Sequence, residues 1–91
     1  MNITIDPLTA ARAEALFTSH LSAGSSPSYA DVDAAIRTAI RSHGGTRGVA
    51  ADVAAAYGDH PETAAPRMRW ARCVVDQLYG ARRECAMSGA R

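Results

Sequence analysis

The cations of this 91-residue chain are ten arginines and no lysine, with three histidines beside them. A guanidinium is a planar fork of N–H donors that matches phosphate oxygens and the guanine edge, so arginine is the residue type here best suited to a nucleic acid. Arg47, Arg67, Arg69 and Arg72, together with the Thr63 hydroxyl, are the candidate nucleic-acid contacts. Charge is also uneven: residues 1–36 hold one arginine against four acids and residues 37–91 nine against five, a balance of −3 against +4. An anionic partner would therefore meet the second half. Other chemistry is poorly furnished. Asp52, Asp59 and Glu62 are near one another in sequence, but no nucleophile or glycine-rich phosphate loop accompanies them, so no enzyme and no cofactor is expected. Cys73 and Cys85 form no CxxC pair and have no histidine at ligand spacing, so no metal is expected either, and the two are read as separate thiols, one on a helix surface and one in a tail. His20 and His43 read as structural. His60, before Pro61 in a turn, is exposed and within reach of a phosphate.

Four amphipathic segments must position these residues, which predicts an all-α, four-helix domain. Asp6-Pro7 is a cap and first-position pair, and Ala13, Leu16, Phe17 and Leu21 gather on one face of a helix over about 7–22. Gly24, three serines and Pro27 mark a loop that ends in a capping box, Ser28 with Asp31. A second helix, about 29–43, carries the stripe Tyr29, Val32, Ile36, Ala39, Ile40 and His43, and Gly44-Gly45 end it. Thr46 is the expected cap of a third helix, 47–57, with Val49, Ala50, Val53, Ala54 and Tyr57 inward and Gly58 as the left-handed turn residue. After Asp59-His60, a fourth helix over 62–79 carries Ala64, Met68, Ala71, Val75 and Leu78 inward. Its start is expected near Glu62 or Thr63, which keeps Pro66 within the first turn.

Two helices joined across a glycine, the second long and rich in arginine, form a helix-turn-helix at 47–79. The run Val53-Ala54-Ala55-Ala56-Tyr57-Gly58, followed after four residues by Thr63-Ala64 and then by Arg67-Met68 and Ala71-Arg72, resembles the helix-turn-helix of the DNA-binding domain that closes bacterial sigma factors. The similarity covers about 25 residues. It implies that Ala54 lets the two helices approach, that Gly58 reverses the chain, and that the fourth helix enters the major groove of double-stranded DNA as part of transcription regulation. Asp59 departs from the pattern, which has an aliphatic residue there. The groove-facing set, Glu62, Ala65, Pro66 and Arg69, leaves Arg69 as the side chain able to read a base, with Arg47, Arg67 and Arg72 on phosphates.

A second reading keeps the helices and dispenses with DNA. Trp70 and Val74 are an i, i+4 pair that points away from Met68, so they lie off the seam between helices 3 and 4. Either helix 1 covers Trp70, with Phe17 or Leu21 as neighbours, or Trp70 and Val74 form a protein interface or homodimer contact. Twenty alanines inflate the apolar fraction while Val, Ile, Leu, Phe and Trp number 15, so the core is thin and self-association would help stabilise it. One domain, 1–80, with a loosely ordered tail at 81–91 is expected. The absence of lysine and abundance of alanine suggest a GC-rich bacterial source. No signal peptide or membrane-length apolar run is present, which points to a cytoplasmic protein.

Overall fold

The structure, a computed structural model, describes residues 7–80. Four helices follow one another, α1 (Pro7–Phe17), α2 (Tyr29–Ser42), α3 (Thr46–Asp59) and α4 (Pro61–Leu78), and no strand occurs among the described residues. The all-α, four-helix class is the one that the periodicity predicts. Asp6, expected as the cap of α1, and the expected tail at 81–91 lie outside the described residues.

α1 stops at Phe17, well before the predicted residue 22. The carbonyls that would have fed another turn accept instead from tighter backbone bonds, Thr18 N to Ala15 O and Ser19 N to Leu16 O, and from side chains. Thr18 Oγ1 donates to Ala15 O at 3.0 Å and Ser19 Oγ to Leu16 O at 2.7 Å, the local competition that hydroxyl residues offer a helix. Arg67 of α4 then donates from Nε to Phe17 O at 2.7 Å and from Nη2 to Ser19 O at 3.0 Å and Leu16 O at 3.5 Å. A guanidinium from a distant helix thus closes the α1 C-terminus, where cations are favoured.

α2 begins as its sequence indicates. Asp31 N donates to Ser28 Oγ at 3.1 Å and Ser28 N to Asp31 Oδ2 at 3.5 Å, a reciprocal capping box. Val32, Ala35, Ile36 and Ala39 are buried, but Tyr29 at the head of the stripe is 51 % exposed. α3 starts one residue earlier than predicted, with Gly45 (φ 112°) rather than Thr46 before its first residue, and no side chain caps it. It buries only Val49 and Val53, while Ala50 and Ala54 face solvent and Tyr57 lies against Phe17 with ring centroids 6.2 Å apart.

The junction between α3 and α4 differs from the expected one. Gly58 is helical, without a positive φ, and α3 runs on to Asp59. The chain turns at His60 alone (φ −141°, ψ 67°), and Pro61 is the first residue of α4. A residue before proline is pushed out of the helical region, as His60 is, and a proline at the first helical position forfeits no hydrogen bond. Because α4 begins at Pro61, Pro66 lies inside the helix in its second turn instead of its first. Ala64, Met68, Trp70, Ala71, Val74 and Val75 are buried. At about 100° per residue these positions fill an arc of about 160°, so α4 is buried on both the α3 side and the α1 side. Its most extensive packing is on α1.

Candidate functional site

The predicted nucleic-acid contacts do not form one cationic surface. Arg67 is half-buried and turned inward onto the α1 C-terminus, its guanidinium carbon 5.8 Å from the Phe17 ring centroid and 5.1 Å from that of Trp70. Burial holds its pKa below the ordinary arginine value. Thr63 Oγ1 donates to His60 O at 3.2 Å, securing the first turn of α4. Arg47, Arg69 and Arg72 are exposed, as is Arg41 at the end of α2, and among the described residues none of the four is ion-paired. On α4, however, the exposed arc that carries Arg69 and Arg72 also carries Glu62 and the partly exposed Asp76. The described residues as a whole hold seven arginines and seven carboxylates, a net charge of zero. Half of the +4 excess in the second half of the sequence comes from Arg82, Arg83 and Arg91 against Glu84, outside the described residues, and the other half from residues 37–80, where it is offset by the acidic first half. His60 faces Glu62 (Nδ1 to Oε2, 3.8 Å), so an approaching phosphate would meet a carboxylate beside it. His43 lies between Ala39 O (2.8 Å from Nδ1) and Asp52 (3.6 Å from Nε2), a structural placement.

Trp70 and Val74 are 3 % and 7 % exposed, so the chain itself covers them. The cover over the indole is the α1–α2 loop: Trp70 Nε1 donates to Ser25 O at 3.0 Å, and Arg67 lies over the rings of both Trp70 and Phe17. A cavity of about 230 Å³ remains beside them, between Gly24–Pro27 and the α4 residues Trp70, Cys73, Val74, Gln77 and Leu78. Cys73 is disulfide-bonded, which corrects its reading as a surface thiol.

An aromatic cluster elsewhere was not apparent from the sequence as a surface. Tyr29 and Tyr79 approach with ring centroids 5.1 Å apart, the Arg12 guanidinium carbon lies 4.1 Å from the Tyr79 centroid, and Tyr79 Oη donates to Asp33 Oδ1 at 3.2 Å. Asp33 in turn accepts from Arg37 Nε at 2.9 Å. Leu8, one turn before Arg12 on α1, is 57 % exposed. Burial, then the hydrogen bond to Asp33 and its charge, push the Tyr79 pKa from 10.0 up to about 12. The ends of α1, α2 and α4 thus assemble a half-wet surface of tyrosine, leucine and arginine. The only sequence clue was Tyr29, and periodicity assigned it to the core.

Among the described residues no helix is long and apolar enough to cross a membrane, and no group of three histidine, cysteine or acidic side chains could hold a metal ion. Compared with protein-family descriptions, with curated proteins and with solved structures, the chain matches none.

Proposed function

We propose that this chain is a helical protein-interaction module that pairs with a second copy of itself through the surface around Tyr29 and Tyr79. The observation that carries the reading is that cluster: the exposed Tyr29 meets Tyr79, over which Arg12 lies, and the exposed Leu8 stands one turn before Arg12 on the same face of α1. Tyrosine and arginine are the residue types that dominate contact energies when a partner excludes water from them. The surface presents both signs, Arg12 and Arg37 beside Asp33, as a two-fold contact of one surface with its own copy requires. The thin core adds a reason, since a domain of this size buries a modest share of its chain and gains from association. Trp70 and Val74, the interface residues suggested by helix geometry, serve the monomer instead.

Double-stranded DNA is the second reading, supported by Arg41, Arg47, Arg69 and Arg72, exposed and without ion pairs among the described residues, and by the sigma-factor-like run at 53–72. A polyanion gains little from a surface whose charges balance, and that balance places the DNA reading second.

Sedimentation equilibrium over a wide concentration range, paired with anisotropy of a labelled duplex at about 50 mM salt, separates the two. The expected result is a concentration-dependent dimer that Tyr29→Ser converts to a folded monomer, with no duplex binding. A monomer at every concentration overturns the proposal. If that monomer binds duplex with an affinity that falls steeply with salt, the DNA reading replaces it.

A further inference from the structure

We propose that the second copy is met through α2, helix against helix and antiparallel, with the two-fold axis passing between Asp33 and Arg37. This register rests on the self-pairing reading and specifies it. Tyr29, Asp33, Arg37 and Arg41 follow one another at intervals of four residues. They form one ridge along the helix, about 18 Å from end to end at about 1.5 Å per residue. Tyr29, Arg37 and Arg41 are exposed and Asp33 is partly exposed. Beside the ridge, the exposed Ala30 and Ala34 carry only a methyl group each, so no bulky side chain holds a second helix away.

Charge selects the register. A two-fold axis across two antiparallel helices brings residues equidistant from it face to face. With the axis between Asp33 and Arg37, Asp33 of each copy meets Arg37 of the other and Tyr29 meets Arg41. Two ion pairs and two contacts of a guanidinium with a ring result. With the axis at Asp33 the two carboxylates would meet, at Arg37 the two guanidinium groups would meet, and between Arg37 and Arg41 arginine would face arginine twice. Parallel helices would set Asp33 on Asp33. Like charges forced together at an interface oppose association. With the axis between Tyr29 and Asp33, Arg37 and Arg41 would meet no counterpart on the ridge.

The centre of this contact is prepared for the loss of water. Asp33 Oδ1 accepts from Tyr79 Oη at 3.2 Å and Asp33 Oδ2 from Arg37 Nε at 2.9 Å, so its own chain holds the carboxylate in place. A carboxylate has lone pairs for about four bonds and a guanidinium has five N–H donors. Both groups therefore keep capacity for the second copy, and a carboxylate that already has two donors is not stranded when a third covers it. Arg41 has no ion pair among the described residues. Tyr29 rests against Tyr79 with ring centroids 5.1 Å apart and remains half-exposed, which leaves ring surface for that arginine.

The test is sedimentation equilibrium of the full chain and of charge-reversed variants, with far-UV circular dichroism to follow the fold. Asp33→Arg sets arginine against arginine and Arg37→Asp sets aspartate against aspartate. Each variant alone should raise the dimer dissociation constant by more than about a hundredfold. Mixed in equal amounts, the two match opposite charges again at both contacts, and a heterodimer should return. A second cycle needs no charge reversal and stands on its own where loss of the Tyr79 bond unfolds Asp33→Arg. Tyr29→Leu and Arg41→Gln should each weaken the dimer about fivefold to thirtyfold, and the double variant no further than either one. Positions 29 and 41 are too far apart on one helix to touch, so such coupling arises only across two copies. Charge variants that dimerise like the wild type, folded variants whose mixture does not pair, or additive losses at positions 29 and 41 overturn this register while a wild-type dimer keeps the self-pairing in place. A wild type that is monomeric at every concentration overturns both.

Discussion

A guanidinium that turns inward has five N–H donors to satisfy, and Arg67 directs its fork at the Leu16, Phe17 and Ser19 carbonyls while lying over two aromatic rings. A lysine there would supply one charged point in place of a planar fork. Arg67→Lys should therefore destabilise the fold by about 1.5 to 3 kcal/mol, the range for hydrogen bonds to charged groups, read as a lower urea midpoint. A phosphate-binding arginine would tolerate the exchange with stability unchanged, so an unaltered midpoint would return Arg67 to the surface role its sequence position suggests. Composition alone could not assign this residue. Its partners lie about 50 positions away in sequence, beyond the window in which helical periodicity operates.

At the scale of elements, glycines distinguish the observed α3 from the expected one. Gly58 lies within α3 with a helical φ, and a Cβ there would meet nothing within 4 Å. Gly58→Ala should therefore stabilise the protein by about 0.5 to 1 kcal/mol, because alanine loses less backbone entropy on entering a helix; a fall in melting temperature would restore the glycine turn. Gly48 is the opposite case, since an added Cβ would overlap the His43 carbonyl where α3 starts against the end of α2. Gly48→Ala should lower the melting temperature strongly. The elements that sequence located well are those fixed by local signals: the Ser28–Asp31 box, the Val32–Ile36–Ala39 stripe, and the Ala64–Met68–Ala71–Val75 stripe. The end of α1, the extension of α3 through Gly58 and the emergence of Tyr29 from the core depend on what the neighbouring helices offer. Of the site candidates, Arg47, Arg69 and Arg72 are exposed, while Arg67 is turned inward and Trp70 is covered within the chain. A lone glycine signals freedom to turn, and only the packed chain decides whether that freedom is used.

Across the whole molecule, Tyr79 links stability to pH. Its proton is held in the folded state up to about pH 12, against an ordinary value of 10.0, because burial and Asp33 both oppose the phenolate. Between those values the unfolded chain has released a proton that the folded chain retains, so the unfolded state is favoured increasingly as pH rises. The contribution is fully present below about pH 10 and is lost progressively toward about pH 12. Urea midpoints across that window should fall with pH in the wild type and fall less steeply in Tyr79→Phe, which cannot ionise. Parallel slopes would mean that Tyr79 does not carry the dependence.

Among the described residues, long-range polar ties from α4 and its end reach back to residues 16–33: Arg67 to Leu16, Phe17 and Ser19, Trp70 to Ser25, and Tyr79 to Asp33, over sequence separations of 45 to 51 residues. A chain emerging from the ribosome presents α1 long before these ties can close. Until residue 79 has cleared the exit tunnel, α1 lacks the guanidinium that terminates it and the loop after it lacks the indole it covers. α1, synthesised before α4, therefore gains its C-terminal closure only after α4 has emerged.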